Sequence, residues 1–125
     1  MKLLFTALFL LHNISFSQMS QLLDIQEEIT VQAESASQAQ DKAQQEILEK
    51  FVQKFSIDLI GEKKYEQNKL AIRQFAVKDS GKFAPVMKSQ VKEEAGQFVV
   101  SVNMKVSASN LRQLFEKAGY LSSDV

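Results

Sequence analysis

The spacing of the apolar residues changes just after Glu34, and this change limits the folds open to the chain. From Ile25 to Glu34 apolar and polar residues alternate one by one, which is the period of a strand with one buried face. Glu27 interrupts the apolar face, so the strand starts either at Ile25 or just after Glu27. The polar residues Gln18–Asp24 before it are expected to be frayed.

The segment after this strand has the period of a long helix. Ser37 and Gln40 have the spacing of a capping box, and Gly61 is a typical stop signal. Between them runs an amphipathic helix of about six turns. Alanine lines its first half and larger apolar residues its second, so the helix can lie close to a sheet at one end and fill a wider gap at the other. The apolar stripe comprises Ala36, Ala39, Ala43, Ile47, Phe51 and Phe55, widened by Leu48 and Val52.

A second and shorter helix is predicted further along the chain. The charged stretch Glu62–Asn68 separates it from the first helix, and its apolar residues run from Leu70 to Val77. It ends at Asp79-Ser80-Gly81, which are typical turn residues.

The C-terminal part predicts a hairpin followed by a helix. Two alternating strands, Val86–Glu93 and Phe98–Ser107, flank a turn at Glu94–Gln97. The last helix starts at Ser109 or the next residue and stops at Gly119.

These elements together predict an α+β fold in the order β-α-α-β-β-α. We expect a small antiparallel sheet of about three strands, with the first strand beside the hairpin and the helices packed on one face. The predicted core comprises Ile29, Val31, Ala39, Ala43, Ile47, Phe51, Phe55, Phe75, Met87, Val91, Phe98, Val100, Val102, Met104, Leu111, Leu114 and Phe115.

Residues 1–17 have the pattern of a secretory signal peptide. Lys2 precedes the apolar run Leu3–Leu11, and small residues at Ser15 and Ser17 favour a cut before Gln18. The alternative is a short transmembrane anchor, but this run is too short for a bilayer core of about 30 Å. Residues 18–125 would then form one α+β domain, with its core at about 25–119, in the periplasm and without an integral membrane segment.

The amino-acid composition excludes several kinds of catalytic and cofactor-binding site. The chain has no Cys, which excludes disulfides, thiolate nucleophiles and Cys-based metal sites. The only His, His12, lies in the predicted signal peptide, so the exported chain has no Ser–His–Asp triad. A Ser–Lys dyad stays open but lacks a supporting motif. The isolated glycines exclude phosphate-binding loops. We therefore predict no enzymatic activity, no cofactor and no metal.

The balance of charge bears on partners. Fifteen basic and fifteen acidic residues give a net charge of zero, which argues against nucleic acid. The outward positions of the predicted strands nevertheless include Lys88, Lys92 and Lys105. These three lysines are the candidate site for an anionic ligand, with an ordinary solvated sheet face as the alternative.

Two segments carry a resemblance to a known family. They are the strand and alanine-rich helix from Ile29 to Leu48, and the strand Gly96–Ser107 followed by Leu111 and Leu114. They resemble the N-terminal domain of the flagellar assembly protein T family and related small outer-membrane lipoproteins, over about Ile25–Gly119. The resemblance implies a periplasmic, non-enzymatic protein of the ring around the flagellar basal body near the outer membrane. It brings no catalytic or ligand-binding residue.

Two functions follow as expectations. The first is an exported assembly or scaffold module that binds proteins of the cell envelope, in a flagellar basal-body ring or another envelope ring, with self-association left open. The alternative is a soluble periplasmic module that binds an anionic envelope ligand through the three lysines.

Overall fold

The fold combines a small sheet with helices, as the sequence predicts. The structure is a computed structural model and describes residues 22–121; the predicted signal peptide lies outside them. The elements are β1 (Leu22–Val31), α1 (Ala36–Ile60), α2 (Glu62–Lys78), α3 (Ser80–Phe83), β2 (Val86–Glu94), β3 (Gln97–Ser107) and α4 (Ala108–Lys117). The α+β class and the antiparallel three-stranded sheet are confirmed.

The last strand in sequence occupies the centre of the sheet. The strand order is β1-β3-β2, and both outer strands are antiparallel to β3. In the register, Val100 of β3 lies between Ile29 and Val91. Because β3 has a neighbour on each side and helices on one face, four of its inward residues are at most 3 % exposed. These are Val100, Val102, Met104 and Val106.

The bounds predicted for the first strand are wrong by about three residues. β1 runs from Leu22 to Val31, so it includes three residues of the segment expected to be frayed and ends before Glu34. Its partner sets this length, because β3 continues to Ser107, which pairs with Leu22. Glu27 lies within the strand and does not mark its start.

The cap of α1 lies two residues earlier than predicted. The Ser35 hydroxyl accepts a hydrogen bond from the Gln38 amide at 3.1 Å. The Gln38 side-chain oxygen in turn accepts one from the Glu34 amide at 2.8 Å. The spacing of a capping box is thus used, but by the earlier serine. The predicted stop at Gly61 is confirmed, where a φ of 92° favours glycine.

The charged stretch between the predicted helices is itself helical. α2 spans Glu62–Lys78, and Tyr65, Ile72 and Ala76 are its buried residues. These residues lie on the face that packs against α1, which stabilises a helix of low mean hydropathy. The turn predicted after it is the one-turn helix α3, whose Phe83 is completely buried.

The hairpin turn is confirmed, whereas the last helix starts one residue earlier than predicted. β2 ends at Glu94 and β3 begins at Gln97. The last helix, α4, begins at Ala108, because the Ser107 hydroxyl accepts a hydrogen bond from the Asn110 amide and caps it.

Most of the predicted core is buried between the sheet and the helices. Aromatic rings join α1, α2 and α4 in this core, with the Phe75 and Phe115 centroids 5.3 Å apart. Buried as predicted are Val31, Ala39, Ala43, Ile47, Phe51, Phe55, Val100, Val102, Met104, Leu111 and Phe115. Only partly buried are Ile29, Phe75, Met87, Val91, Phe98 and Leu114. Missing from the predicted core were Ile25, Leu48, Val52, Tyr65, Ile72, Ala76, Phe83, Ala84, Val106 and Ala108.

Candidate functional site

Within residues 22–121, one face of the sheet has no helical layer. The helices cover the inward residues of β3, while the alternate residue Ser101 is exposed and Asn103 and Lys105 are half-buried. We call the uncovered side the outer face. Its side chains are Asp24, Gln26, Glu28 and Thr30 of β1, Lys88, Gln90 and Lys92 of β2, and Val99, Ser101, Asn103 and Lys105 of β3.

The three lysines predicted as an anion site all lie on the outer face. Lys88 and Lys92 are exposed on β2, and Lys105 is on β3. Lys88 and Lys92 are four residues apart along an extended strand, a rise of about 14 Å. Lys105 pairs with Val86, so it is a diagonal neighbour of Lys88. The structure therefore brings two of the lysines near each other and leaves Lys92 further along the strand.

Acidic side chains accompany two of these lysines. The Lys105 ammonium lies 3.6 Å from an Asp24 carboxylate oxygen. The Lys92 ammonium lies 3.1 Å from a Glu94 carboxylate oxygen. Among the described residues, Lys88 forms no ion pair. Exposed pairs of this kind contribute little stability, about 0–1 kcal/mol each, so both lysines can exchange their partners at small cost.

The charges of the outer face are separated between its two edge strands. β1 contributes Asp24 and Glu28 and no basic residue, whereas β2 contributes Lys88 and Lys92, with Glu94 at its end. The Glu28 carboxylate accepts a hydrogen bond from the Ser101 hydroxyl at 3.3 Å. On the outer face the sheet therefore has an acidic edge at β1 and a mainly basic edge at β2, where Glu93 lies on the inner face.

Both edges keep unpaired backbone groups within residues 22–121. β1 and β2 each pair with β3 alone, so every second residue of each edge strand directs its N–H and C=O away from the sheet. Such an edge is a template for another extended segment. Leu22, at the start of β1, is half exposed and adds apolar surface to the acidic edge.

Asp24 and Glu28 are not among the site residues predicted from the sequence. Asp24 belongs to the segment expected to be frayed, and Glu28 is one polar residue of the alternating strand pattern. One signal could have found them: Leu23 and Asp24 continue the alternation of β1 towards the N-terminus, with Leu23 inward and Asp24 outward.

Two polar side chains of the inner face, Glu27 and Ser89, lie in one row of the sheet beneath α1. Glu27, Val102 and Ser89 are register partners across the three strands. The Gln44 amide donates to the Ser89 hydroxyl at 2.9 Å, which ties α1 to β2. Burial raises the pKa of the Glu27 carboxyl above its ordinary value, and the positive charge of Lys50 opposes this shift. Glu27 is therefore a partly buried carboxyl group whose charged form is disfavoured by its surroundings.

A polar cavity of about 320 Å³ lies between α1 and α2. Arg73 and Glu49 form an ion pair of 3.2 Å across it, and Tyr65 is its most deeply buried residue. Acidic and basic side chains are equal in number here, so the cavity has no excess charge to select an ion. It is lined by Glu46, Glu49, Lys50, Gln53, Tyr65, Glu66, Lys69 and Arg73.

Neither a metal-binding cluster nor a membrane-spanning helix is found within residues 22–121. No group of three or more His, Asp or Glu side chains there is placed to hold a metal ion. None of the described helices is both long and apolar enough to cross a membrane.

Comparison of the chain with protein-family models, curated proteins and solved structures gives no match. The resemblance to the flagellar assembly protein T family therefore stays a prediction.

Proposed function

We propose that this chain is an exported, non-enzymatic assembly module of the cell envelope that binds other proteins through its uncovered sheet. The observation that carries this proposal is the open β1-β3-β2 sheet, which has helices on one face only in the part of the chain that the structure describes. Its polar outer face and two unpaired edges offer backbone and side-chain hydrogen bonds to a partner.

The charge distribution supports a protein partner with its own alternating pattern. An extended segment that adds to a sheet edge places every second side chain on the same face. At β1 such a segment would meet Asp24 and Glu28, and at β2 it would meet Lys88 and Lys92. Each edge therefore favours a strand of opposite charge, which gives specificity to the backbone pairing.

The signal-peptide pattern and the family resemblance support a location of the protein in the cell envelope. The periplasm, near the outer membrane, is the proposed location, and a ring of the flagellar basal body is the most specific version. The test is a pull-down of the tagged protein from fractionated envelope, with the bound proteins identified by mass. Recovery of envelope ring components supports the proposal. Recovery of the protein alone from the periplasmic fraction would contradict it.

Deletion of the gene tests the flagellar version separately. If the protein belongs to the basal-body ring, its loss should impair motility and the integrity of the isolated basal body. Normal motility and intact basal bodies in the deletion strain would remove the flagellar assignment and leave other envelope assemblies.

A second candidate function rests on the shared position of Lys88, Lys92 and Lys105 on the outer face. In this version the face binds an anionic envelope ligand. The probe is a vesicle of anionic phospholipid, compared with a neutral vesicle at low and high salt. Binding that weakens with salt and is lost in Lys88→Glu, the lysine without an ion pair among the described residues, favours this candidate. Binding that is unchanged in Lys88→Glu excludes it.

A further inference from the structure

The two free edges of the sheet are parallel to each other. β1 and β2 are both antiparallel to β3, so they run in the same direction. Consider a second copy that is shifted sideways in the plane of the sheet and is not rotated. The β2 strand of this second copy then lies beside the β1 strand of the first copy, and the two strands are parallel. The apolar faces of both copies then lie on the same side, and the helices of both remain on that side.

In this arrangement the outer-face residues of the two edges match in order. The matching register places each β1 residue beside the β2 residue that is 64 positions later in the sequence. Acidic residues then meet lysines, and the half-exposed Leu22 meets an apolar residue. The outer-face neighbours are Leu22 with Val86, Asp24 with Lys88, Gln26 with Gln90, and Glu28 with Lys92 of the second copy.

Pairing between like edges is less favourable. On the outer face β1 carries Asp24 and Glu28 and no basic residue, so two copies of β1 would bring four carboxylates together. Two antiparallel copies of β2 centred on Gln90 would set Lys88 opposite Lys92. Like charges placed opposite each other destabilise a strand pair, so charge favours the pairing of unlike edges.

We propose that the partner of the β1 edge is the β2 edge of a second copy of this chain, so that copies join head to tail into one extended sheet. The inference rests on the proposed assembly function and deepens it by naming the partner. A head-to-tail contact closes into a ring or grows into a filament, according to the rotation between neighbours.

The test is a charge exchange between the edges, read by sedimentation velocity. The protein is expressed from the full-length gene and purified as the cell processes it. We expect the wild-type protein to associate as its concentration rises, and more weakly at high salt. Glu28→Lys and Lys92→Glu should each weaken this association about tenfold or more, because each sets two like charges side by side.

Mixing the two purified variants tests the pairing of unlike edges more directly. The β1 edge of Glu28→Lys carries a lysine that matches the new glutamate of Lys92→Glu, and the two unchanged edges also match. An equimolar mixture of the variants should therefore associate nearly as well as wild type, and so should the double variant Glu28→Lys/Lys92→Glu. A variant that had failed to fold could not regain association on mixing.

Matched controls change charge away from the sheet. Lys63→Glu on α2 and Asp58→Lys on α1 alter exposed residues and should leave association unchanged. The inference is overturned by a wild-type protein that stays monomeric at all concentrations. It is also overturned by association that survives Glu28→Lys, or by variants that do not recover when mixed.

The outcomes separate this inference from the proposed function. A monomeric protein that still captures envelope proteins would overturn the self-pairing and leave the assembly function in place. Copies that associate as described, but capture no other envelope protein, would support the self-pairing and contradict the wider function.

Discussion

The turn between β2 and β3 places an alanine in a conformation that L-residues disfavour. Ala95 has a φ of 50° and Gly96 a φ of 79°. Positive φ at both central residues is the geometry of a type I′ turn, for which Asn-Gly is the preferred pair. A left-handed conformation costs an alanine roughly 1–2 kcal/mol, whereas asparagine tolerates it better.

Ala95→Asn should therefore stabilise the protein by about 0.5–1 kcal/mol, by recovering part of that cost. The measurement is the free energy of unfolding from urea titration. Gly96→Ala is the opposite change, since it adds a side chain at positive φ, and should destabilise. A lower stability for Ala95→Asn would mean that the turn has another geometry.

Glu27 gives the chain a pH dependence at the scale of one residue. Because burial raises the pKa of this carboxyl in the folded state, the folded protein holds the proton more tightly than the unfolded chain does. The tighter binding of this proton stabilises the folded state fully when the pH is below the pKa of Glu27 in the unfolded chain. This stabilisation is lost as the pH rises through the higher pKa of Glu27 in the folded protein.

Glu27→Gln should consequently be more stable than wild type at neutral pH, and this advantage should shrink at acidic pH, below the raised folded pKa, where the wild-type carboxyl is protonated. Urea midpoints at the two pH values measure the difference. Glu34→Gln, at an exposed position between β1 and α1, controls for the loss of one negative charge. An advantage for Glu27→Gln that does not change with pH would contradict the assignment.

At the scale of elements, α1 contributes more buried residues than α2 or α4. Its alanines Ala39 and Ala43 are completely buried, and Phe51 is 2 % exposed. Small side chains allow a close approach to the sheet at the start of the helix, and the Phe51 and Phe55 rings, with centroids 6.0 Å apart, fill the wider space near its end.

Phe51→Ala should destabilise the protein by about 3–5 kcal/mol, because it removes buried apolar contacts and leaves a cavity. Such a loss is a large part of the stability of a small domain. Thermal unfolding followed by circular dichroism measures it. Gln45→Ala, an exposed change on the same helix, is the control, and a melting temperature for Phe51→Ala equal to the control would place Phe51 outside the core.

α2 shows why a charged segment can still be a helix. Its three buried residues, Tyr65, Ile72 and Ala76, recur at intervals of seven and four, so they lie along one side. The exposed residues add the Glu66–Lys69 ion pair at 3.2 Å. The sequence pattern around Glu62–Asn68 contains one apolar residue among charged ones, which is too little to predict a helix without the packing against α1.

At the scale of the whole molecule, the order of the strands predicts where the backbone is best protected. β3 is paired on both sides, whereas β1 and β2 are each paired on one side within the described residues. Amide hydrogen exchange reports such differences in local opening.

We expect the amides of Val100–Val106 to exchange most slowly in the sheet. Alternate amides of β1 and β2 should exchange faster in dilute protein. These amides point away from β3, and no strand within residues 22–121 pairs with them. If copies pair by their edges, those β1 and β2 amides should become protected as the concentration rises, while β3 stays unchanged. Equal exchange rates in all three strands of the dilute protein would contradict the strand order.

The sequence by itself determined the kind of each main element and the composition of its two sides. Alternation in the strands, helical spacing in α1 and the turn at Ala95-Gly96 are local properties, because they depend on residues a few positions apart. The same locality allowed Lys88, Lys92 and Lys105 to be assigned to one polar sheet face.

Only the tertiary structure decided the ends of β1, the helical state of Glu62–Asn68 and the central position of β3. Each depends on contacts between residues far apart in the chain: Leu22 is in a strand because Ser107 lies beside it, and α2 is stabilised by its packing against α1. The presence of an acidic edge and a basic edge on one sheet was also decided by the tertiary structure, since the residues of β1 and β2 are separated by more than fifty positions. No local pattern relates such strands, because their relative position is set by the strand that lies between them.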